Sequence, residues 1–134
     1  MSQWKLQIHT PGKEKVISNP HWKQIQTILD QVDGSRFDNV SLFNDKFGDL
    51  MVAGGDQIHG IRRYHVQYYD AVHRYEANLV NPSESEETKE HLNITVQKVG
   101  TDIFKQYLVG YDDMIRAVKH FFETGELTED QEWE

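Results

Sequence analysis

The sequence predicts an α+β fold, a mainly antiparallel sheet with two helices packed against it. Several segments show apolar residues alternating with polar ones, which is the period of half-buried strands. Apolar residues recur at helical spacing in only two segments, around 22–32 and 114–122. Two helices are too few to cover both faces of a parallel sheet, so antiparallel pairing is favoured. The predicted order of elements is β-α-β-β-β-β-β-β-α.

The first third of the chain predicts one strand and one helix. Residues 4–9 alternate, and Pro11-Gly12 ends that strand. Asn19 is placed to cap a helix, and Pro20 suits the first helical position because its missing N–H has no intrahelical partner there. Gly34 is placed for the C-terminal turn. The apolar stripe of this helix consists of Trp22, Ile25, Ile28, Leu29 and Val32.

The middle of the chain predicts a hairpin and four further strands. The polar segment 44–49 connects alternating residues around Val40 and Leu50. Gly54-Gly55-Asp56 is interpreted as a strand-connecting turn whose glycines allow positive φ angles. Residues 81–87 are too polar and charged to pack, so they predict an exposed loop. The other strands are predicted at 60–70, 75–79, 92–96 and 103–109, with 100–102 separating the last two.

The end of the chain predicts an amphipathic helix followed by a docked acidic segment. The helix begins near Asp112 and stops at Gly125. Trp133 is a large apolar side chain among carboxylates, so we expect it to pack back on the domain while its neighbours point outward. One core is predicted to contain Trp4, Trp22, Ile25, Leu29, Val52, Tyr64, Ile94, Val118 and Phe121.

Composition limits the class of protein. A chain of 134 residues suits one domain, 1–134, with a single core. There is no run of about 18 apolar residues, and the first residues lack the pattern of a secretion signal. The absence of cysteine excludes disulfides and thiolate chemistry. We therefore expect a cytoplasmic protein of bacterial type that has no membrane partner.

The formal net charge of −8 is concentrated in two segments. Residues 83–90 carry four carboxylates and one lysine, and residues 123–134 carry six carboxylates and no basic side chain. Direct binding to nucleic acid needs a clustered basic face, so it is not expected. A cationic partner is the better electrostatic match.

No catalytic, cofactor or metal site is predicted. His59, His65 and His73 are the densest histidine group, but on one strand His59 and His65 lie about 20 Å apart, too far for one ion. Arg62 and Arg63 are adjacent strand residues that point to opposite faces, so they cannot clamp one anion.

The predicted partner-binding residues are Asp45, Phe47, Asp49 and Asp56, at the ends of the hairpin. Loops can present carboxylates without disturbing a sheet, and an exposed Phe47 would supply an aromatic anchor between the first two. The competing interpretation is that the aspartates only favour turns and that Phe47 packs into the core.

Two segments together resemble a known family. The string LVGYDDMIRAVKHFFETGEL at 108–127, followed by Glu132-Trp133-Glu134, resembles the close of the Imm-one family of small immunity proteins from bacterial polymorphic toxin systems. The segment GDLMVAGG at 48–55 is similar to a hairpin strand and Gly-Gly turn of that family. The resemblance implies an intracellular inhibitor that binds the catalytic domain of a cognate toxin, and it transfers no active-site residues.

Two other functions remain open at this point. The first is a small-molecule-binding or catalytic α+β domain that uses Arg63, His65 and His73 in a sheet-lined cleft. The second is a structural subunit whose exposed strand edge pairs with a copy of itself.

Overall fold

The computed structural model describes residues 3–10, 13–83, 90–97 and 99–134. The predicted break at Pro11-Gly12 and most of the predicted loop 81–87 lie outside these residues. The α+β prediction is confirmed. The helices are α1 (Trp22–Leu29) and α2 (Tyr111–Thr124), with a short 3-10 helix at Lys105–Tyr107. The strands are β1 (Lys5–Thr10), β2 (Lys13–Ser18), β3 (Asn39–Asn44), β4 (Gly48–Ile58), β5 (Ile61–Asp70), β6 (Tyr75–Asn78), β7 (His91–Val96), β8 (Val99–Phe104) and β9 (Leu108–Val109).

The main sheet has the strand order β2-β1-β3-β4-β5-β6, and β9 adds a short pairing to β5. All these pairings are antiparallel. The strands β3, β4, β5 and β6 are joined by consecutive hairpins, which fixes their register through short connections. β7 and β8 form a separate two-stranded sheet beside β4.

The core lies between one face of the main sheet and the two helices. Alternating strand residues such as Leu50, Val52 and Tyr64 point to this face, where Val118 and Phe121 of α2 meet them. Six predicted core residues are confirmed as members of this cluster: Ile25, Leu29, Val52, Tyr64, Val118 and Phe121. Trp4 and Trp22 are only partly buried against it.

Ile94 is buried outside the main cluster, so the prediction of one shared core is wrong for this residue. Ile94 packs against the backbone of β4, where a Cβ added at Gly54 would lie 3.0 Å from its Cδ1 atom. The β7–β8 hairpin therefore makes an apolar contact with β4 that is separate from the main core cluster.

Helix α1 begins later and ends earlier than the sequence predicts. Asn19 adopts a left-handed conformation with φ 53° and donates its backbone N–H to Trp4 O at 2.8 Å. This hydrogen bond joins the residue after β2 to the residue before β1, and Asn19 does not cap the helix. His21 takes the N-cap position, and its backbone N–H is accepted by the side chain of Gln24 at 3.3 Å. Helix α2 matches its prediction closely and ends at Gly125, a left-handed C-cap with φ 76°.

Three predictions about the strands need correction. β2 follows β1 directly and has no counterpart in the predicted order. Gly54-Gly55-Asp56 is not a turn between strands but lies inside β4, where a β-bulge interrupts the pairing with β5 between Gly54 and Gln57. Segment 100–102 lies within β8, and the predicted strand 103–109 is interrupted by the 3-10 helix.

In the part of the chain that the structure describes, no helix has both the length and the apolar character needed to cross a membrane.

Candidate functional site

An open groove of about 270 Å³ lies at one end of the main sheet, between the β3–β4 turn and the β5–β6 turn. Short antiparallel connections place both turns at this end. We name it the acidic groove and define it by its lining residues, which are Asn44, Asp45, Gly48, Asp49, Tyr69, Asp70, Ala71 and Val72.

The register of β4 and β5 brings the groove residues together. Asp49 lies directly opposite Tyr69, and both point away from the helices because Leu50 and Tyr68 belong to the core side. Gly48 has φ 96°, and a Cβ there would lie 2.8 Å from the carbonyl oxygen of Tyr69. Only glycine lets the turn approach β5 this closely.

The groove carries three carboxylates and no basic side chain among its lining residues. Partial burial raises the pKa of Asp49, and the neighbouring Asp45 carboxylate raises it further. Asp49 as a whole residue is exposed, and only its carboxyl group is partly shielded from solvent by neighbouring atoms. The pKa of Asp70 is lowered, chiefly by the hydrogen bond from Nδ1 of His73 at 2.6 Å. Asp70 thus already has a histidine partner, so the groove carboxylates that would attract a cationic ligand are Asp45 and Asp49.

Exposed apolar side chains surround these carboxylates. Tyr69 is 46% exposed and Val72 is 80% exposed, and both line the groove. Tyr75 is 51% exposed and lies opposite Asp70 in the β5–β6 pairing. An apolar surface next to charged groups is a common composition for a protein-binding site.

The structure places two of the four predicted partner-binding residues, Asp45 and Asp49, in the groove. Phe47 is not an exposed anchor, because its ring stacks on Trp4 with centroids 5.8 Å apart. A Cβ added at Gly125 would lie 2.5 Å from Cδ1 of Phe47, so the ring also fills the space beneath that glycine. The competing interpretation, in which Phe47 packs against the core, is confirmed.

Asp56 lies far from the groove. It follows Asp49 by seven positions along β4, a separation of roughly 20 Å at strand rise. Both of its carboxylate oxygens accept hydrogen bonds from Thr95. Asp56 therefore holds the β7–β8 hairpin on the bulge of β4, which is a structural role.

Sequence reasoning missed Tyr69, Asp70 and Val72. A valine two positions after Asp70, in a turn, was an available signal, since turn residues are usually polar. The pairing of Tyr69 with Asp49 depends on strand register, which periodicity alone does not reveal.

The structure does not bring Arg63, His65 and His73 together in a sheet-lined cleft. His65 is buried in β5, where its Nε2 lies 2.8 Å from Oδ1 of Asn78 and burial lowers its pKa. His73 lies in the turn beyond the end of β5, so the two histidines are roughly 16 Å apart at strand rise. Arg63 has a buried Nε atom with no hydrogen-bond partner, within the same strand. In the described ranges, no group of three or more His, Cys, Asp or Glu could hold a metal ion.

The acidic end of the chain docks on the sheet as an extra strand pairing. Trp133 forms an antiparallel bridge with Leu79, and Asn78 and Glu134 exchange two backbone hydrogen bonds of 2.7 and 2.9 Å. Nε1 of Trp133 donates to Oγ1 of Thr128 at 3.2 Å. The prediction that Trp133 packs back on the domain is confirmed, with Glu132 and Glu134 exposed beside it.

Known proteins offer no guide to this site, because no family model, curated protein or solved structure matches the chain. A function for this protein is therefore inferred from the acidic groove and its surroundings.

Proposed function

We propose that this protein is an immunity protein that binds the catalytic domain of a cognate bacterial toxin in the cytoplasm and neutralises it without catalysis. The observation that carries the proposal is the acidic groove, where three carboxylates surround the exposed side chains of Tyr69 and Val72. The resemblance of residues 108–127 to the Imm-one family supports the same proposal.

The charge distribution suits a partner with a basic active site. Toxins that act on nucleic acid need positive surfaces to hold phosphates. The groove offers Asp45, Asp49 and Asp70, and the docked tail adds the exposed carboxylates of Glu126 and Glu129. Charges of this kind accelerate encounter with a basic surface through electrostatic steering.

The position of the groove suits occlusion of an active site. Its walls are strand ends and tight turns of a packed sheet, so they can enter a cleft without losing their shape. Tyr69 and Val72 would be buried on contact and would supply the apolar centre that interfaces require. The surrounding carboxylates would then form the polar rim.

Binding kinetics with a candidate toxin domain, chosen as the toxin encoded beside this gene, test the proposal. Reversing the charge at Asp45 and Asp49 together, each to Lys, should slow association roughly tenfold or more at low salt and flatten its salt dependence. Tyr69→Ala should mainly raise the dissociation rate, because an apolar anchor is lost after docking.

A matched control reverses the charges of Glu14 and Asp102, which are exposed and lie outside the groove. This variant has the same net charge as the groove variant and should bind nearly normally. Failure of the wild-type chain to bind or inhibit the toxin domain would contradict the proposed function. Equal effects of the two charge variants would rule out the groove as the binding surface.

A further inference from the structure

The outer edge of β8 pairs with no other strand among the residues that the structure describes. β7 lies along β4, and on that side of the hairpin the backbone N–H of Thr95 donates to Oδ1 of Asp56. β7 therefore lies between β4 and β8, so the outer edge of β8 points away from β4. A two-stranded sheet is only marginally stable by itself, which makes a further strand on this edge favourable.

The hydrogen bonds of the hairpin determine which backbone groups lie on this edge. The N–H of Lys105 donates to the carbonyl oxygen of Glu90 at 2.7 Å, in continuation of the β7–β8 register. Hydrogen-bonded and non-hydrogen-bonded pairs alternate along antiparallel strands, so Val99 and Thr101 also bond to β7. The N–H and C=O groups of residues 100 and 102 point outward, where another strand can bond to them.

The side chains of β8 leave its edge open to pairing, unlike those of the edge strand β2. β2 carries Lys13, Glu14 and Lys15 in succession, and charged side chains of this kind protect an edge against further pairing. β8 has a single charged residue, Asp102. Val99 is 62% exposed beside this edge, which leaves apolar surface to be covered.

We propose that β8 pairs antiparallel with β8 of a second copy of this chain, about a two-fold axis that passes between the two Thr101 residues. The product is a continuous four-stranded sheet of the order β7-β8-β8-β7. This interaction goes beyond toxin binding, because it uses no residue of the acidic groove.

The proposed register is self-complementary. Val99 and Ile103 lie on the same side of the strand as Thr101, and each valine meets the isoleucine of the second copy. The two threonines meet at the axis as a favourable cross-strand pair. Gly100 and Asp102 exchange backbone hydrogen bonds across the axis, so each carboxylate lies opposite a glycine and not opposite another carboxylate.

Symmetry and charge select this register. Residues directly opposite each other point to the same side of a sheet, so the two-fold axis has to pass between two copies of one residue. The registers that pair the greatest length of β8 are those centred on Thr101 and on Asp102. The second places two carboxylates directly opposite each other, which is destabilising.

Sedimentation equilibrium of the full chain at increasing concentrations tests the proposal. The weight-average mass should rise from that of one chain towards that of two, and the backbone amide NMR signals of residues 99–104 should shift together with it. A strand-edge interface is small, so the association is expected to be weak. A mass that stays at that of one chain up to about 1 mM would overturn the proposal.

Charged substitutions at the axis test the register. Thr101→Lys and Thr101→Glu each place like charges opposite each other, so each variant alone should lose self-association. An equimolar mixture of the two should recover it, because opposite charges then meet. Wild-type association of either variant alone, or no recovery in a mixture of folded chains, would overturn the register.

Val99→Thr tests the apolar pair without disturbing the fold, because this side chain is already largely exposed and threonine suits a strand. The variant should keep its melting temperature and weaken self-association several-fold. The matched control is Val72→Thr, at a valine that is 80% exposed in the β5–β6 turn, and it should associate as wild type does. Equal weakening by the two substitutions would overturn the assignment to β8.

The candidate toxin domain distinguishes a second copy from a foreign strand as the occupant of this edge. The variant with Asp45→Lys and Asp49→Lys should dimerise as wild type does, since its substitutions lie in the groove. Signals of residues 99–104 that shift only when the toxin domain is added would assign the edge to the toxin and overturn the proposal.

Discussion

Asp56 and Thr95, separated by 39 positions, are joined by two hydrogen bonds. The backbone N–H of Thr95 donates to Oδ1 of Asp56 at 2.8 Å, and its hydroxyl group donates to Oδ2 at 2.7 Å. A single carboxylate thus fastens the β7–β8 hairpin to the bulge in β4. Bulges are well suited to this role because they turn a side chain away from the regular ladder.

Replacing Asp56 by Ala should destabilise the fold by about 1.5–3 kcal/mol, the usual cost of losing hydrogen bonds to a charged group. Urea unfolding curves measure the change. Asp45→Ala is the matched control, because Asp45 is exposed in a turn, and it should leave the midpoint nearly unchanged. A wild-type midpoint for Asp56→Ala would show that the hairpin is held by other contacts.

Phe121→Ala should cost about 3–5 kcal/mol, because the ring is fully buried and its removal leaves a cavity. The ring packs edge-on against Trp4 and Tyr68, with centroid distances of 5.1 and 5.8 Å. Phe104→Ala removes a ring that is 38% exposed and should cost much less. Equal unfolding midpoints for the two variants would contradict the position of Phe121 in the core.

Deleting residues 126–134 should lower the melting temperature and shift the tryptophan emission. The deletion leaves backbone groups of Asn78 and Val80 without their partners in the tail and removes the packing of Trp133. Trp133→Ala should give part of this loss, whereas Glu129→Gln should give none because Glu129 is exposed. Wild-type melting of the shortened chain would show that the tail does not contribute to stability.

Asp49→Asn should raise the melting temperature near pH 7. The folded pKa of Asp49 lies above its ordinary value of 3.8, so the folded state binds a proton more readily than the unfolded state does. Its ionisation therefore removes stability as the pH rises through 3.8 and the raised pKa. Asparagine avoids this cost, and its advantage should vanish near pH 3, where aspartate is protonated in both states. An advantage that persists at low pH would point to a cause other than charge.

His65 should make stability sensitive to mild acid. Burial holds its pKa below the ordinary value of 6.5, so the folded state keeps it neutral while the unfolded state takes up a proton. Stability is fully present above 6.5 and is lost as the pH falls from there towards the lowered pKa. The free energy of unfolding of His65→Gln should fall less than that of wild type between about pH 7 and about pH 5.

The sequence predicted the elements whose signals are local. Helix α2 was recognised because its apolar residues keep helical spacing up to Gly125. The β3–β4 hairpin was recognised because alternation resumes after a polar turn. In contrast, β2 is an edge strand with five of its six residues exposed, so it shows no apolar alternation to detect.

The remaining differences arise from contacts between distant parts of the chain. Gly54-Gly55 has the composition of a turn. The structure instead brings the backbone of Val32 so close that a Cβ at Gly55 would lie 2.2 Å from the carbonyl oxygen of Val32. The groove combines Asp49 with Tyr69, which are 20 positions apart and meet through the register of β4 and β5. Local patterns identified Asp45 and Asp49 and could not identify the wall that faces them.

The pairing of Leu79 with Trp133 has a consequence for folding kinetics. The hairpins from β3 to β6 form through short loops, whereas the tail bonds to Asn78 close a loop of 56 positions. Contacts that close long loops tend to form after the transition state for folding. Weakening the tail should therefore accelerate unfolding and leave the refolding rate nearly constant. In this view the docked acidic segment determines how long the folded protein persists, and the central hairpins determine how quickly it forms.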